Sequence, residues 1–157
     1  MPRSTTKVTI LTSNFISDAE IAHIGEGFLN RSLPKAEWTH AAHFAALLWL
    51  LRHRPDLRPE TDMAALIRAY NEATGTENSD TSGYHETITE ASITVTRAFM
   101  AGFGDQHPLF DILNKLSASR LGRSDWPLAH WRRETLFSVE ARRNWVEPDL
   151  LPLALEV

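Results

Sequence analysis

Residues 38–54 read WTHAAHFAALLWLLRHR and form the most apolar stretch of the chain. Their apolar side chains recur with the 3.6-residue period of a helix, so the pattern predicts a helix from about Lys35 to Arg54. Pro55 is expected to end it, because proline cannot continue the backbone hydrogen-bond ladder. The apolar run Ala41 to Leu51 is about half as long as a membrane-spanning helix, which indicates the core of a soluble domain.

The flanking segments show the same helical period. Ser17 and Glu20 form a capping-box pattern that predicts the start of a first helix, which runs to about Asn30. Further helices are predicted at about 60–74, 84–103, 108–119 and 138–145, and Asp125-Trp126-Pro127 is predicted to start a short helix between the last two. Residues 75–83 contain no aliphatic side chain and are expected to form a loop.

Length and composition agree with one domain. The chain has 157 residues, and a chain of this length buries roughly 70% of its unfolded surface. The sequence therefore predicts an all-α, single-domain bundle of five to seven helices at residues 17–157, preceded by an N-terminal arm at residues 1–16. With neither a signal-peptide pattern nor a membrane-spanning run, we expect a cytoplasmic protein without a membrane partner.

Several kinds of chemistry are excluded by composition. The chain contains seven histidines but no cysteine, so disulfides, thiolate metal sites and cysteine nucleophiles are ruled out. Its 16 basic and 20 acidic side chains give a net charge of −4, which disfavours a nucleic-acid partner. Any metal ion must therefore be held by histidine, aspartate or glutamate.

Three histidines are predicted to face the core. His40 and His43 share the apolar face of the second predicted helix, and His85 is expected to face inward near the start of the fourth. Three imidazoles that meet in a bundle core can hold zinc, iron or manganese and leave a position open for a fourth ligand, for which Glu86 is the first candidate, Glu37 the second and water the third. Alternatively, the three are buried structural histidines that bond to hydroxyl or carbonyl groups.

The candidate catalytic residues around this predicted metal are Glu86, Tyr84 and Arg142. Glu86 would serve as a ligand or general base, and Tyr84 either donates a proton or packs against the helix. Arg142 is a candidate clamp for a carboxylate or phosphate group. Residues 60–90 carry seven acids and one arginine, whereas residues 120–143 carry six arginines and three acids. These two segments are either solvated charged faces or candidates for pairing within one chain or across a dimer.

Four short segments together resemble a family of small bacterial proteins of unassigned function. The segments are Trp38-Thr39-His40-x-x-His43, Tyr70-Asn71-Glu72, Gly83-Tyr84-His85-Glu86-Thr87 and Trp145-Val146-Glu147-Pro148-Asp149. The resemblance covers about residues 33–152 and carries no reaction with it. It indicates only that the four segments do not occur together by accident.

Two functions of different classes follow from these patterns. The first is a metal-dependent enzyme of hydrolase or lyase type, in which a divalent metal at His40, His43 and His85 activates water or a small-molecule substrate. The second is a non-catalytic interaction protein, a helical homodimer whose aromatic C-terminal third forms the interface. A carrier that binds a metal or ligand without chemistry would use the first site.

Overall fold

Seven α-helices and three 3₁₀ turns make up the part of the chain that the computed structural model describes, residues 14–153, and no strand occurs within it. The helices are α1 (Asp18–Leu29), α2 (His40–His53), α3 (Pro59–Ala73), α4 (Glu86–Met100), α5 (Leu109–Ala118), α6 (Arg133–Leu136) and α7 (Val139–Arg143). The 3₁₀ turns are Lys35–Glu37, Arg120–Gly122 and Trp126–Ala129. The prediction of a single-domain, all-α bundle is confirmed. The predicted arm lies outside the described residues except for its last three positions.

Helix α2 lies at the centre of the core, where it contacts α1, α4 and α5. Every residue from 44 to 50 is buried, and each large apolar side chain buried in this way contributes about 1.5–3 kcal/mol. Gly25 of α1 lies so close to Trp49 that an added Cβ would be 2.5 Å from the indole. A glycine at this position therefore allows α1 and α2 to pack closely. No helix within residues 14–153 is long and apolar enough to cross a membrane.

Two helices begin later than predicted: α2 at His40 instead of about Lys35, and α4 at Glu86 instead of about Tyr84. Thr39 has an extended backbone, and its hydroxyl accepts a hydrogen bond from the amide of Ala42, so α2 begins only at His40. His85 is likewise extended and caps α4, because its Nδ1 accepts from the amide of Ile88. An N-cap side chain satisfies a backbone N–H that the first helical turn leaves unpaired, and this favours the extended conformation.

The first turn of α1 is attached to the start of α5. The predicted capping box of Ser17 and Glu20 is confirmed. The adjacent Asp18 carboxylate accepts from the amides of Leu109 and Phe110, at 3.1 and 2.9 Å. One carboxylate thus caps the N-terminus of a helix about 90 residues away along the chain.

The C-terminal third packs against the bundle through buried tryptophans. Trp131 is fully buried, and its indole Nε1 donates to the carbonyl of Val146 at 2.9 Å. Trp126 is also buried, so these two aromatic residues belong to the core. The predicted pairing of the acidic and basic segments occurs once within the chain, between Asp80 and Arg143.

Candidate functional site

A pocket of about 360 Å³ opens beside the start of α2. We call it the histidine pocket. It is lined by His40, His43, Phe44, Leu47, Ile88, Ser92, Ser124, Trp126 and Pro127. Five of these side chains are apolar, and the polar groups among them are two imidazoles and two hydroxyls. Ligand pockets commonly combine mostly apolar walls with a few polar groups in this way.

His43 has one ring nitrogen bonded and the other available. Its Nδ1 lies 2.6 Å from the carbonyl oxygen of Thr39, the residue that caps α2. Because a carbonyl can only accept, Nδ1 must carry the hydrogen, and the neutral ring then has a lone pair on Nε2. Within residues 14–153, that Nε2 atom has no hydrogen-bond partner.

The surroundings of His43 favour its neutral form. Its ring lies 4.1 Å from the Trp38 ring between centroids. Although His43 is exposed as a whole residue, loss of hydration around its ring lowers the pKa of His43. The bond to Thr39 opposes this shift, and the nearby His40 adds to it. With a pKa below the ordinary value of about 6.5, His43 is neutral at pH 7 and can accept a proton.

His40 has the opposite tautomer to His43, with its hydrogen on Nε2. Its Nε2 donates to the carbonyl of Leu121 at 2.8 Å, which leaves Nδ1 without a partner in the described part of the chain. The Leu121 carbonyl belongs to a tight 3₁₀ turn, where a Cβ on Gly122 would lie 1.9 Å from the Ser117 carbonyl oxygen. The glycine therefore allows the turn that fixes the tautomer of His40.

His85 has a different role. Its Nε2 donates to the Leu136 carbonyl at 2.7 Å, while its Nδ1 accepts from Ile88 at 3.2 Å. Burial lowers the pKa of His85, as does the nearby Arg142 charge, so the ring is neutral. Both nitrogens are occupied, and His85 has no lone pair left for a metal ion in this arrangement.

The structure pairs His40 with His43 and leaves His85 outside their pocket. The described residues contain no group of three or more histidine, aspartate or glutamate side chains placed to hold a metal ion. Neither carboxylate considered as a fourth ligand lines the histidine pocket. Glu37 precedes α2 and pairs with His23 at 3.0 Å, and Glu86 accepts from the Tyr84 hydroxyl at 2.6 Å. A three-histidine metal centre stays a prediction, and it would require His85 to give up at least its hydrogen bond from the Ile88 amide.

The three predicted catalytic residues lie together, but not in the histidine pocket. Arg142 Nη1 donates to the carbonyls of Gly83 and Tyr84 at 3.1 and 3.2 Å. Burial, followed by the bond to Glu86, raises the pKa of Tyr84, so its hydroxyl stays protonated and acts as a donor. The Arg68 guanidinium lies 4.8 Å from the centre of the Tyr84 ring. Catalytic roles for Tyr84, Glu86 and Arg142 stay predictions.

Sequence reasoning missed one wall of the histidine pocket. Ser124, Trp126 and Pro127 come from a turn about 70 residues beyond the end of α2. Periodicity cannot place a turn against a distant helix, because that contact depends on tertiary packing. The Asp-Trp-Pro sequence at residues 125–127 predicted a short helix, which the structure shows as the 3₁₀ turn Trp126–Ala129, but nothing in it indicated a pocket wall.

We expect Glu90 on α4 to make the stability of the protein depend on pH. A hydrogen bond with the Glu86 carboxyl, loss of hydration and the negative charges of Glu86 and Glu60 raise the pKa of Glu90 from 4.5 to about 7. The folded state therefore binds more protons than the unfolded chain between these two pH values. The stability due to protonated Glu90 is fully present below pH 4.5 and is lost as the pH rises through 7.

Glu90→Gln should remove this loss, because glutamine keeps the hydrogen-bonding shape without the charge. After allowance for solvent screening, we expect Glu90→Gln to raise the free energy of unfolding by about 1 kcal/mol at pH 8 and hardly at all at pH 4. Urea unfolding across this range measures the difference. The exposed Glu72→Gln on α3 is the matched control, and a Glu90→Gln effect that does not change with pH would contradict the prediction.

Comparisons with known proteins identify no relative of this chain. No protein-family model matches the chain, and no curated protein or solved structure is significantly similar to it. The resemblance of the four sequence segments to a bacterial family therefore stays a prediction.

Proposed function

We propose that this protein is an enzyme that acts on a small molecule in the histidine pocket, with His43 as the general base. One observation carries the proposal: two imidazoles on the same helix each donate one N–H to a backbone carbonyl and keep the other nitrogen unbonded beside a pocket. A general base needs a fixed tautomer, an available lone pair and a pKa near or below the working pH. His43 meets all three conditions.

The chemistry of this arrangement is proton transfer of hydrolase or lyase type. His43 Nε2 takes a proton from water, or from a carbon next to a carbonyl group, and returns it to the leaving group. The Thr39 carbonyl holds Nδ1–H and stabilises the imidazolium that forms. The apolar walls, including Phe44 and Leu47, reduce the access of water to the reacting atoms. The positive end of α2 favours negative charge that develops on the substrate.

A divalent metal ion would be held by the same two nitrogens, His40 Nδ1 and His43 Nε2. When bound, zinc, iron or manganese would activate a water molecule for attack. Catalytic zinc sites usually have three protein ligands, and this pocket supplies two imidazoles without a carboxylate. Base catalysis by His43 is therefore the primary form of the proposal, and metal-assisted catalysis is the secondary one.

Turnover of a metabolite mixture tests the proposal. Protein purified without a histidine tag is incubated with a bacterial small-molecule extract, and mass spectrometry follows which compounds disappear. We expect His43→Ala to slow that reaction by about 100-fold or more, because it removes the base. The matched control is His53→Ala, which removes an exposed imidazole from the other end of the same helix.

The same assay separates the two forms of the proposal. Turnover that survives chelation supports base catalysis, whereas turnover that is lost and then restored by zinc, iron or manganese supports the metal form. Elemental analysis of the purified protein measures the metal content directly. A reaction that proceeds equally well in His40→Ala and His43→Ala would show that the chemistry takes place elsewhere.

A second candidate function, self-association through the C-terminal third, is favoured by exposed apolar side chains. Phe137, Val139, Leu150 and Leu151 are between 43 and 59% exposed. Large apolar side chains left in water often mark an interface when they form a contiguous patch. Sedimentation velocity tests this function: it predicts a dimer that dissociates in Leu151→Glu. A wild-type protein that stays monomeric at high concentration would exclude it.

A further inference from the structure

A second pocket, of about 200 Å³, lies between the loop at residues 75–83 and the C-terminal end of α7. We call it the arginine cleft. Its lining residues are Arg68, Asn78, Ser79, Asp80, Tyr84, Arg142 and Arg143. Three guanidinium groups and a single carboxylate therefore face one small space.

The only carboxylate in the arginine cleft is already neutralised. Asp80 accepts two hydrogen bonds from Arg143, at 2.9 and 2.7 Å. The pKa of Asp80 is lowered, first by the bond to Arg143 and also by the nearby charge of Arg142, so this carboxylate stays ionised and paired. Asp80 and Arg143 thus cancel each other, and the charges of the other two arginines remain.

Arg142 is held in place by neutral groups. Its Nη1 donates to the Gly83 and Tyr84 carbonyls, and no carboxylate in residues 14–153 forms an ion pair with it. Its Nε is buried and has no hydrogen-bond partner in the same range. The Gly83 backbone has a φ of +79°, a conformation in which glycine carries no steric penalty. The turn therefore fixes the guanidinium while its charge stays uncompensated.

Arg68 supplies the second uncompensated charge. It lies over the Tyr84 ring and forms no ion pair within the described chain. Guanidinium groups bind planar and tetrahedral oxyanions through paired N–H donors, and two in one cleft match a single phosphate or carboxylate group. We propose that the arginine cleft binds the carboxylate or phosphate group of a small ligand between Arg68 and Arg142. This binding does not depend on the chemistry proposed for the histidine pocket.

Anion titrations of the intact protein test the inference. Inorganic phosphate and acetate are added separately at constant ionic strength, and NMR follows the amides of residues 78–84 and the Nε–H of Arg142. We expect saturable shifts in these signals, and the anion that binds more tightly identifies the group. Arg68→Gln should weaken binding by about tenfold or more, because it removes one charged donor pair from a residue on the surface.

Two further variants keep the result unambiguous. Arg120→Gln removes the same charge from an exposed arginine outside the cleft, and it should leave the affinity unchanged. Arg142→Lys keeps the charge but loses the paired donors, so it should weaken phosphate binding while the circular dichroism spectrum stays that of the wild type. The inference is overturned if neither anion gives saturable shifts, if Arg68→Gln binds like the wild type, or if Arg120→Gln weakens binding as much as Arg68→Gln.

Discussion

Tyr70→Ala should destabilise the protein by about 4–5 kcal/mol, the largest loss expected from any single substitution considered. The Tyr70 side chain is fully buried, and its ring lies 4.9 Å from the Trp38 ring and 5.7 Å from the Phe28 ring between centroids. Truncating a buried aromatic residue to alanine costs about 3–5 kcal/mol. The Tyr70 hydroxyl also donates to the Leu33 carbonyl at 2.8 Å, and leaving that carbonyl unpaired adds about 1 kcal/mol.

Chemical denaturation followed by circular dichroism measures this loss. Tyr70→Phe is the matched control, because it keeps the ring and removes only the hydroxyl, and it should cost about 1 kcal/mol. The effect should extend to the histidine pocket, since Trp38 packs against both Tyr70 and His43. A Tyr70→Ala protein within about 1 kcal/mol of the wild type would contradict the packing described here.

His85→Ala should lower the free energy of unfolding by about 3 kcal/mol. The substitution removes the cap of α4, which contributes about 0.5–2 kcal/mol. It also takes the donor away from the Leu136 carbonyl, at a cost of about 1–3 kcal/mol. His85→Asn should recover about 1 kcal/mol of this loss, because asparagine is a good N-cap residue.

A substitution at His43 should have the opposite effect if the proposed catalytic role of His43 is correct. His43→Ala should cost less than about 1 kcal/mol in urea unfolding, because the residue is exposed and its hydrogen bond to Thr39 is local. His43→Ala should thus lose turnover and keep its fold, whereas His85→Ala should lose stability. If His85→Ala were as stable as the wild type, the capping role of His85 would be wrong, and His85 would again be a candidate metal ligand.

The sequence alone predicted the helices well, because their apolar periods are long and regular. It placed the starts of α2 and α4 too early. Thr39 and His85 each come directly before a helix, and the side chain of each accepts a hydrogen bond from the backbone amide three residues later. Whether such a residue is helical or a cap depends on that bond, and a helical wheel assumes the first case.

The candidate site was predicted in part. The spacing of His40 and His43 indicated two imidazoles on one helix face, and both line the histidine pocket. The partner of His40 is the carbonyl of Leu121, 81 residues away, and the carbonyl partners of Arg142 are almost 60 residues away. No local pattern specifies such backbone partners, because every residue offers the same carbonyl group. For this reason the sequence could not separate His85 from the two histidines that line the histidine pocket.

Nitrogen-15 NMR of the histidine rings tests the central claim, that His40 and His43 keep unbonded nitrogens while His85 does not. We expect His43 to carry its hydrogen on Nδ1 with a pKa below about 6.5, and His40 to carry its hydrogen on Nε2. His85 should carry its hydrogen on Nε2 and be neutral at pH 7, because burial lowers its pKa. A His43 ring that is protonated at pH 7, or that carries its hydrogen on Nε2, would contradict the claim.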